Sequence, residues 1–253
     1  MLNEIAIVAS DTTRSRAYFQ ALVRNDLIPG YILIMEPEAK KVLPGQLDKS
    51  LPTSQIGAPQ ETDEIWSEAR FDPALSIRDF LDKHNISYEV TKGKDINDPL
   101  VVEAVGISNS SVFIYSGAGG AILREGILGT GKRFLHVHGG YIPEYKGSTT
   151  NYYSLLVEKT VGASSLFLVK EIDSGPVLLR QKFPAPMNPH AIDHIYDSGA
   201  RAKVLIETLN NFLKDGAWNI ELPASTGGET YYIIHPVLKH IAILDKSGEP
   251  KCE

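Results

Sequence analysis

The stretch 112–138, VFIYSGAGGAILREGILGTGKRFLHVH, decides how this chain folds. It opens with a run of β-branched and aromatic residues at 112–115, which is typical of a buried strand. A glycine-rich turn follows, then a short apolar segment at 122–128 with a helical pattern, and then a second apolar strand at 134–138. A strand, a helix and a strand in this order predict a parallel pair whose carboxyl ends lie at one edge of a sheet.

The N-terminal third of the chain repeats this alternation. Residues 4–9 are apolar and end in turn and capping residues, residues 13–25 have a one-sided apolar pattern, and residues 31–35 are apolar again. Further helices are predicted to begin at Ser76 and at Asp98. The pattern predicts an α/β protein with a Rossmann-like, mostly parallel sheet flanked by helices. The turn after the first strand has no G-x-G-x-x-G, so a nicotinamide or flavin cofactor is not indicated.

The second half of the chain predicts a helix at 149–158, paired strands at 164–169 and 177–183, and a long helix between Pro189 and Gly216. We therefore expect two parts in the molecule. These are a core at 1–185, and a C-terminal helix with a short extension at 186–253 that packs on the core.

Three segments have weaker patterns. Residues 36–70 are polar, contain four prolines and show no sustained period, so we expect a long loop that is either functional or disordered. The segment 229–236 is a candidate for a further strand, and residues 246–253 are expected to form a frayed tail.

The composition excludes several classes of protein. Of 253 residues 43% are hydrophobic and 22% are charged, as in ordinary globular proteins, and no apolar run reaches the roughly 18 residues of a membrane span. The N-terminus lacks a basic export signal, so we expect a cytoplasmic protein. The single cysteine, Cys252, allows neither an internal disulfide nor a thiolate-rich metal site. A net charge of -6 gives no general attraction for nucleic acid.

Candidate catalytic residues stand at the end of the last parallel strand. His136 and His138 alternate along it, and Asp173 lies downstream in an Asp-Ser-Gly turn at 173–175. An imidazole held by a carboxylate is the commonest proton-transfer unit of enzymes near neutral pH. The sequence therefore predicts a catalytic site at this edge of the sheet.

These residues belong to a longer motif: HVH at 136–138, IPEYKG at 142–147 and DSG at 173–175. The spacing resembles that of the folate-dependent formyltransferase family, which includes glycinamide ribonucleotide transformylase, methionyl-tRNA formyltransferase and the sugar N-formyltransferases. The family has Asn-x-His, then Leu-Pro-x-aromatic-basic-Gly, then Asp-x-Gly. The resemblance covers most of residues 1–185, so it implies the formyltransferase fold with 1–185 as the catalytic core.

The resemblance implies 10-formyltetrahydrofolate as co-substrate and no metal. His138 and Asp173 then match the proton-handling pair of the family. The loop after residue 116 and the segment before Asp173 match regions that hold the pterin, although the glycines alone indicate only a tight turn. The implied cofactor-binding residues are Gly117, Gly119, Gly120, Ala121, Ile122, Glu171 and Ile172, and those implied to face the acceptor are Lys146, Asn151 and Tyr152.

The departure from the family is His136, which stands where the family has a carbonyl-polarising asparagine. A neutral imidazole can donate one hydrogen bond to an oxyanion, and a protonated one can donate with charge assistance, so the role can persist. Loss of one such donor typically costs about 10²- to 10³-fold in rate. His136 is therefore a third candidate catalytic residue, with catalysis either retained or lost.

The acceptor is expected to be a small amine, first of all a nucleotide-linked amino sugar destined for a polysaccharide. Methionyl-tRNA is disfavoured because its formyltransferases add a basic C-terminal barrel, and the purine-pathway enzyme because it keeps the asparagine. A formyltetrahydrofolate hydrolase and a noncatalytic folate-binding homologue remain as alternatives. A homodimer is left open.

Overall fold

The computed structural model describes residues 2–36, 69–118, 122–187, 192–224 and 227–244. The central part of the expected loop at 36–70 and the expected tail at 246–253 lie outside these ranges. Three predicted cofactor-binding residues also lie outside them: Gly119, Gly120 and Ala121.

The strands of the described chain form one large sheet and one small one. In chain order they are β1 Leu2–Ala9, β2 Pro29–Met35, β3 Glu89–Thr91, β4 Val112–Ser116, β5 Arg133–His138, β6 Tyr145–Gly147, β7 Thr160–Phe167, β8 Val177–Pro184 and β9 Glu229–Tyr231. Seven of them form the large sheet in the order β3-β2-β1-β4-β5-β7-β8, while β6 and β9 pair separately.

The first five strands of the large sheet run parallel, and β7 and β8 extend it with antiparallel pairs. In its centre Ile7 of β1 is flanked by Ile32 of β2 and Ile114 of β4. Central parallel strands are covered on both faces, which explains their continuous apolar runs. The prediction of a mostly parallel α/β sheet is therefore confirmed. The strand order reverses between β1 and β4, which places a ligand-binding crevice at the carboxyl ends of these strands.

The α-helices of the described chain are α1 Thr13–Arg24, α2 Ile77–Lys83, α3 Pro99–Ile107, α4 Glu125–Leu128, α5 Thr150–Glu158, α6 Asp197–Asp215 and α7 Pro236–Leu244. Side-chain caps mark the starts of α1, α2 and α3 among them. Ser76 accepts a hydrogen bond from the amide of Asp79, and Asp98 accepts one from the amide of Leu100, so the predicted starts of α2 and α3 are confirmed.

Two hydrophobic clusters cover the two faces of the large sheet. On one face Phe19 and Leu22 of α1 pack with Leu205 and Leu209 of α6. On the other face the apolar side chains of α3 and α4 pack against β4 and β5: Val101, Val105, Ile127, Phe113 and Phe134. The long C-terminal helix is thus part of the core packing, and it lies beside the ends of the strands.

The helix expected at 122–128 is only the single turn of α4. The further strand expected within 229–236 is present as β9, and it pairs with β6. Gly147, with a φ of 99°, allows this close pairing, since a Cβ at this residue would clash with the carbonyl oxygen of Tyr231. No helix of the described residues is long and apolar enough to cross a membrane.

Helix α6 tests the packing of the core. Leu205 is fully buried, whereas Leu213 on the same helix is 51% exposed. We expect Leu205→Ala to lower the free energy of unfolding by about 2–5 kcal/mol because it leaves a cavity. Leu213→Ala, the matched control, should change it by less than about 0.5 kcal/mol. Urea denaturation followed by circular dichroism measures both, and equal losses would contradict the described orientation of α6.

Candidate active site

A cavity of about 540 Å³ opens at the carboxyl ends of β1, β4 and β5, where the strand order reverses. Residues of β4 and β5 contribute to the wall, and so do the first turn of α1 and the first turn of α6. The side chains of the wall include Arg14, Tyr115, His136, His138, Asp173, Asp197 and Arg201. The location agrees with the general rule for ligand sites in open α/β sheets.

His138 is buried at the end of β5 and has an oxygen beside each ring nitrogen. Its Nδ1 lies 3.3 Å from Oδ2 of Asp173, and its Nε2 lies 2.9 Å from the carbonyl oxygen of Tyr145. A carbonyl oxygen and a carboxylate oxygen can only accept hydrogen bonds. The hydrogen bond to the carbonyl oxygen of Tyr145 therefore places a proton on Nε2, while Nδ1 lies beside the carboxylate of Asp173.

The carboxylate of Asp173 is held by the backbone. Its Oδ2 accepts a hydrogen bond from the amide of Gly147 at 2.9 Å, and the residue adopts a left-handed conformation with a φ of 48°. Asp and Asn tolerate this conformation better than most residues do. The turn thus brings together His138 and Asp173, the two residues that the sequence predicts as a pair.

His136 lies two residues earlier on β5 and has a different environment. Its Nδ1 is 3.3 Å from the carbonyl oxygen of Tyr115 on the neighbouring strand β4. Burial lowers the pKa of His136 well below the usual 6.5, and the charges of Arg14, Arg201 and His138 lower it further. His136 is therefore neutral at pH 7, and its proton lies on Nδ1 because the carbonyl of Tyr115 can only accept.

The sequence did not indicate the two arginines that face His136. Arg14, in the first turn of α1, donates to the hydroxyl of Ser116 at 3.3 Å and to the carbonyl oxygen of Gly117. Burial lowers the pKa of Arg14, and the nearby charge of Arg201 lowers it further. Arg14 lies in the helix that follows β1, beside the reversal of strand order. This position is the signal by which the sequence could have indicated Arg14 as a site residue.

Arg201 belongs to a polar network that closes the inner end of the cavity. Its Nε lies 2.8 Å from Oδ2 of Asp197, one turn earlier on α6, and its Nη1 donates to the carbonyl oxygen of Val137. Asn151 donates to Oδ1 of Asp197 at 2.8 Å and accepts from the amide of Gly162 at 2.8 Å. Asn151, which the sequence predicts to face the acceptor, thus also holds the carboxylate of Asp197 in place. The sequence analysis did not indicate Asp197.

The other predicted residues lie at various depths. Ile122 and Ile172 line the cavity and are each about half exposed, and Glu171 lies beside Ile172 in the cavity wall. Tyr152 is buried and also lines the cavity. Lys146 is buried on β6 and is not among the described residues that line the cavity.

The remaining described member of the glycine-rich turn is Gly117. Its carbonyl oxygen holds Arg14, and a Cβ at this position would clash with the ring and hydroxyl of Tyr115. Within the described parts of the chain, no group of three or more histidine, cysteine or acidic side chains could hold a metal ion.

No family model matches the sequence. Curated relatives match parts of it. The methionyl-tRNA formyltransferase of Chloroflexus aurantiacus is 28% identical over 136 residues, which are 52% of this chain and 42% of that protein. The mitochondrial formyltetrahydrofolate deformylase 2 of Arabidopsis thaliana is 28% identical over 108 residues, 42% of this chain and 33% of that protein. The matched segments thus span less than half of each relative.

Solved structures share the fold. Glycinamide ribonucleotide transformylase 1 from Symbiobacterium toebii has a TM-score of 0.56 at 12% identity, over 87% of this chain and 93% of that one. A sugar N-formyltransferase from Shewanella sp. FDAARGOS_354 has a TM-score of 0.55 at 13% identity, over 95% and 86%. The sugar 3N-formyl transferase WlaRD, solved with dTDP and 5-N-formyl-THF, has a TM-score of 0.54 at 13% identity, over 92% and 70%.

The proteins named above are formyltransferases, a transformylase and a formyltetrahydrofolate deformylase. The motif at the end of β5 is the one by which the sequence resembles this group, and the sheet has the same fold. The chain is therefore similar over part of its length to folate-dependent formyltransferases and a deformylase, and it shares the fold of the solved formyltransferase structures.

Proposed function

We propose that this protein transfers a formyl group from 10-formyltetrahydrofolate to an amine of a small acceptor. The observation that carries the proposal is the buried pair of His138 and Asp173 in the wall of the cavity. Its position at the reversal of strand order, and the homology to formyltransferases, add support.

The chemistry of formyl transfer needs what this pair can supply. When an amine attacks the formyl carbon, negative charge develops on the formyl oxygen in a tetrahedral intermediate. Preorganised positive charge in a site shielded from water is an effective way to stabilise such an oxyanion. His138 is held in a fixed orientation in the cavity wall, with Nε2 at the carbonyl oxygen of Tyr145 and Nδ1 beside Asp173, and its protonated form carries such a charge.

The outer part of the cavity suits the flat pterin ring of the folate. Ile122, Leu123, Leu168 and Ile172 form an apolar wall, and Ala118 also lines the cavity. Apolar walls with a few polar groups are typical of sites for small heteroaromatic ligands. In this proposal Gly117, Glu171 and Ile172 lie along the folate, while Gly119, Gly120 and Ala121 are outside the described residues.

The opposite wall is available to the acceptor. It contains Asn151, Tyr152, Asp193 and Asp197, and the segment 230–233 lies at its rim. Carboxylates and amides suit an acceptor with an amino group and several hydroxyls, and exposed Tyr232 offers a ring for stacking. We therefore propose a nucleotide-linked amino sugar as acceptor. The reaction would take place in the cytoplasm, and its formylated product would be used for a polysaccharide. This assignment includes Asn151 and Tyr152, whereas buried Lys146 has an indirect role at most.

A hydrolase is the second candidate, because the Arabidopsis relative is a formyltetrahydrofolate deformylase. In that reaction water takes the place of the amine, and formate is released.

An assay with 10-formyltetrahydrofolate separates these functions. The protein is incubated with the folate alone and with a panel of nucleotide-linked amino sugars, and tetrahydrofolate, formate and product mass are measured. We expect tetrahydrofolate release that depends on one acceptor and a product heavier by one formyl group. Formate released at the same rate without any amine would identify the hydrolase instead. Folate binding without turnover would contradict both enzymatic functions.

The charge of Asp173 is tested by Asp173→Asn. Asparagine tolerates the left-handed conformation and can still accept from the amide of Gly147, so the turn is retained while the carboxylate is lost. We expect kcat to fall at least about 10²-fold, since His138 loses the carboxylate beside its Nδ1.

The matched control for this variant is Asp26→Asn. Asp26 is exposed, lies beyond the end of α1 and has a φ of 57°, so it places the same substitution in the same backbone conformation far from the cavity. Its kcat should remain that of the unmodified protein. Equal activity of the two variants would show that the carboxylate of Asp173 has no part in catalysis.

A further inference from the structure

The two histidines of β5 differ in which ring nitrogen is held by a backbone carbonyl: Nδ1 in His136 and Nε2 in His138. Nδ1 of His136 faces the carbonyl oxygen of Tyr115 at 3.3 Å, so the proton of the neutral ring lies there. Nε2 is then an unprotonated nitrogen with a free lone pair. An asparagine at this position would offer an N–H donor, so this histidine does not reproduce the amide group.

The surroundings keep His136 in this form. The groups that face it are Arg14 from α1, Tyr115 from β4, His138 from β5, and Arg201 with its partner Asp197 from α6. Burial is the main cause of its lowered pKa, and the positive charges of Arg14 and Arg201 follow. Both arginines lie on helices, α1 and α6, and their positive charges disfavour protonation of the His136 ring.

His138 cannot take the proton that the reaction releases. Its Nε2 donates to the carbonyl oxygen of Tyr145, and its Nδ1 lies 3.3 Å from Oδ2 of Asp173, so each ring nitrogen is directed at a protein oxygen. Neither nitrogen is left to meet the attacking amine. The attacking amine must nevertheless lose a proton, and the leaving nitrogen of the folate must gain one.

We propose that Nε2 of His136 accepts the proton of the attacking amine and returns it to the leaving nitrogen. This role rests on the proposed formyl transfer. The amine nitrogen bonds to the formyl carbon, and the electron pair of the carbonyl moves to its oxygen. The nitrogen then gives one proton to His136. When the carbonyl re-forms, the bond between the formyl carbon and N10 of the folate breaks, and N10 receives that proton from His136. The ring is neutral again at the end.

The oxyanion meets positive charge at the same time. Arg14 is held only by neutral acceptors, the hydroxyl of Ser116 and the carbonyl oxygen of Gly117, in the hydrogen bonds that the described residues show. A guanidinium with neutral partners keeps its full charge available to a nearby anion. Arg14 and His138 can therefore take over the stabilisation that the family asparagine would provide, which leaves His136 free to act as the base.

The tautomer is tested without any acceptor. In ¹⁵N-labelled protein, long-range ¹H–¹⁵N correlations distinguish protonated from unprotonated ring nitrogens, and the signals of His136 are those lost in His136→Asn. At pH 7 we expect Nδ1 to be protonated and Nε2 not.

In Arg14→Gln the midpoint of the His136 titration should rise, by about 1 pH unit, because a positive charge has been removed. Arg14→Lys keeps the charge and should leave the midpoint in place. A proton on Nε2 at pH 7 would overturn the proposal.

The base is tested by chemical rescue of His136→Ala, with 10-formyltetrahydrofolate and the amino-sugar panel. We expect kcat to fall at least about 10²-fold, and added imidazoles to restore part of it. The restored rate should rise with the basicity of the imidazole. His136→Asn should be as inactive as His136→Ala, while His240→Asn, at an exposed position on α7, should be unaffected.

The outcomes separate this role from the proposed function. Formyl transfer that persists undiminished in His136→Asn would overturn the base role and leave the proposed function intact. Rescue that falls as basicity rises would assign His136 a donor role instead. Absence of formyl transfer by the unmodified protein would overturn the proposed function and, with it, the base role, whereas the tautomer of His136 is decided by the resonance experiment alone.

Discussion

Parallel pairing of β1, β4 and β5 in the middle of the sheet is the constraint on which the active-site cavity depends. These strands end at the same edge, and the order of the sheet reverses between β1 and β4. The helices that leave the two sides of the reversal diverge and leave a crevice between them. Arg14, Tyr115 and His138 come from three different strand ends or the turns after them, and they meet there because the strands are in register.

The charged groups in this crevice explain why the two histidines of β5 have different surroundings. Asp173 faces His138, and Asp197 faces Arg201, so His138 and Arg201 each have a carboxylate beside them. His136 has instead the carbonyl of Tyr115 as its hydrogen-bond partner among the described residues. Burial and the positive charges of Arg14 and Arg201 lower the pKa of His136 and favour its neutral form. Position along β5 thus determines the chemical character of each imidazole.

The small sheet of β6 and β9 determines which segments border the acceptor side. Gly147 lets the backbone of Tyr231 approach closely, and the amide of Gly147 also binds Asp173. Gly147 therefore joins the carboxylate of Asp173 to the segment 230–233 at the rim of the cavity. The rings of Tyr145 and Tyr153 pack on Tyr231 and strengthen this connection. The residues proposed to recognise the acceptor are consequently connected to the proposed catalytic carboxylate.

The sequence by itself determined the parallel sheet, the starts of α2 and α3, and the pairing of His138 with Asp173. These features depend on local patterns: continuous apolar runs, capping residues, and a motif with fixed spacing. Only the tertiary structure decided that Arg14, Asp197 and Arg201 lie in the cavity wall, that β9 pairs with β6, and that Nδ1 of His136 faces the carbonyl of Tyr115. Each of these depends on groups that are distant in the sequence and meet through packing. A carbonyl on β4 sets the proton of a histidine on β5, and no local pattern in either strand encodes that contact.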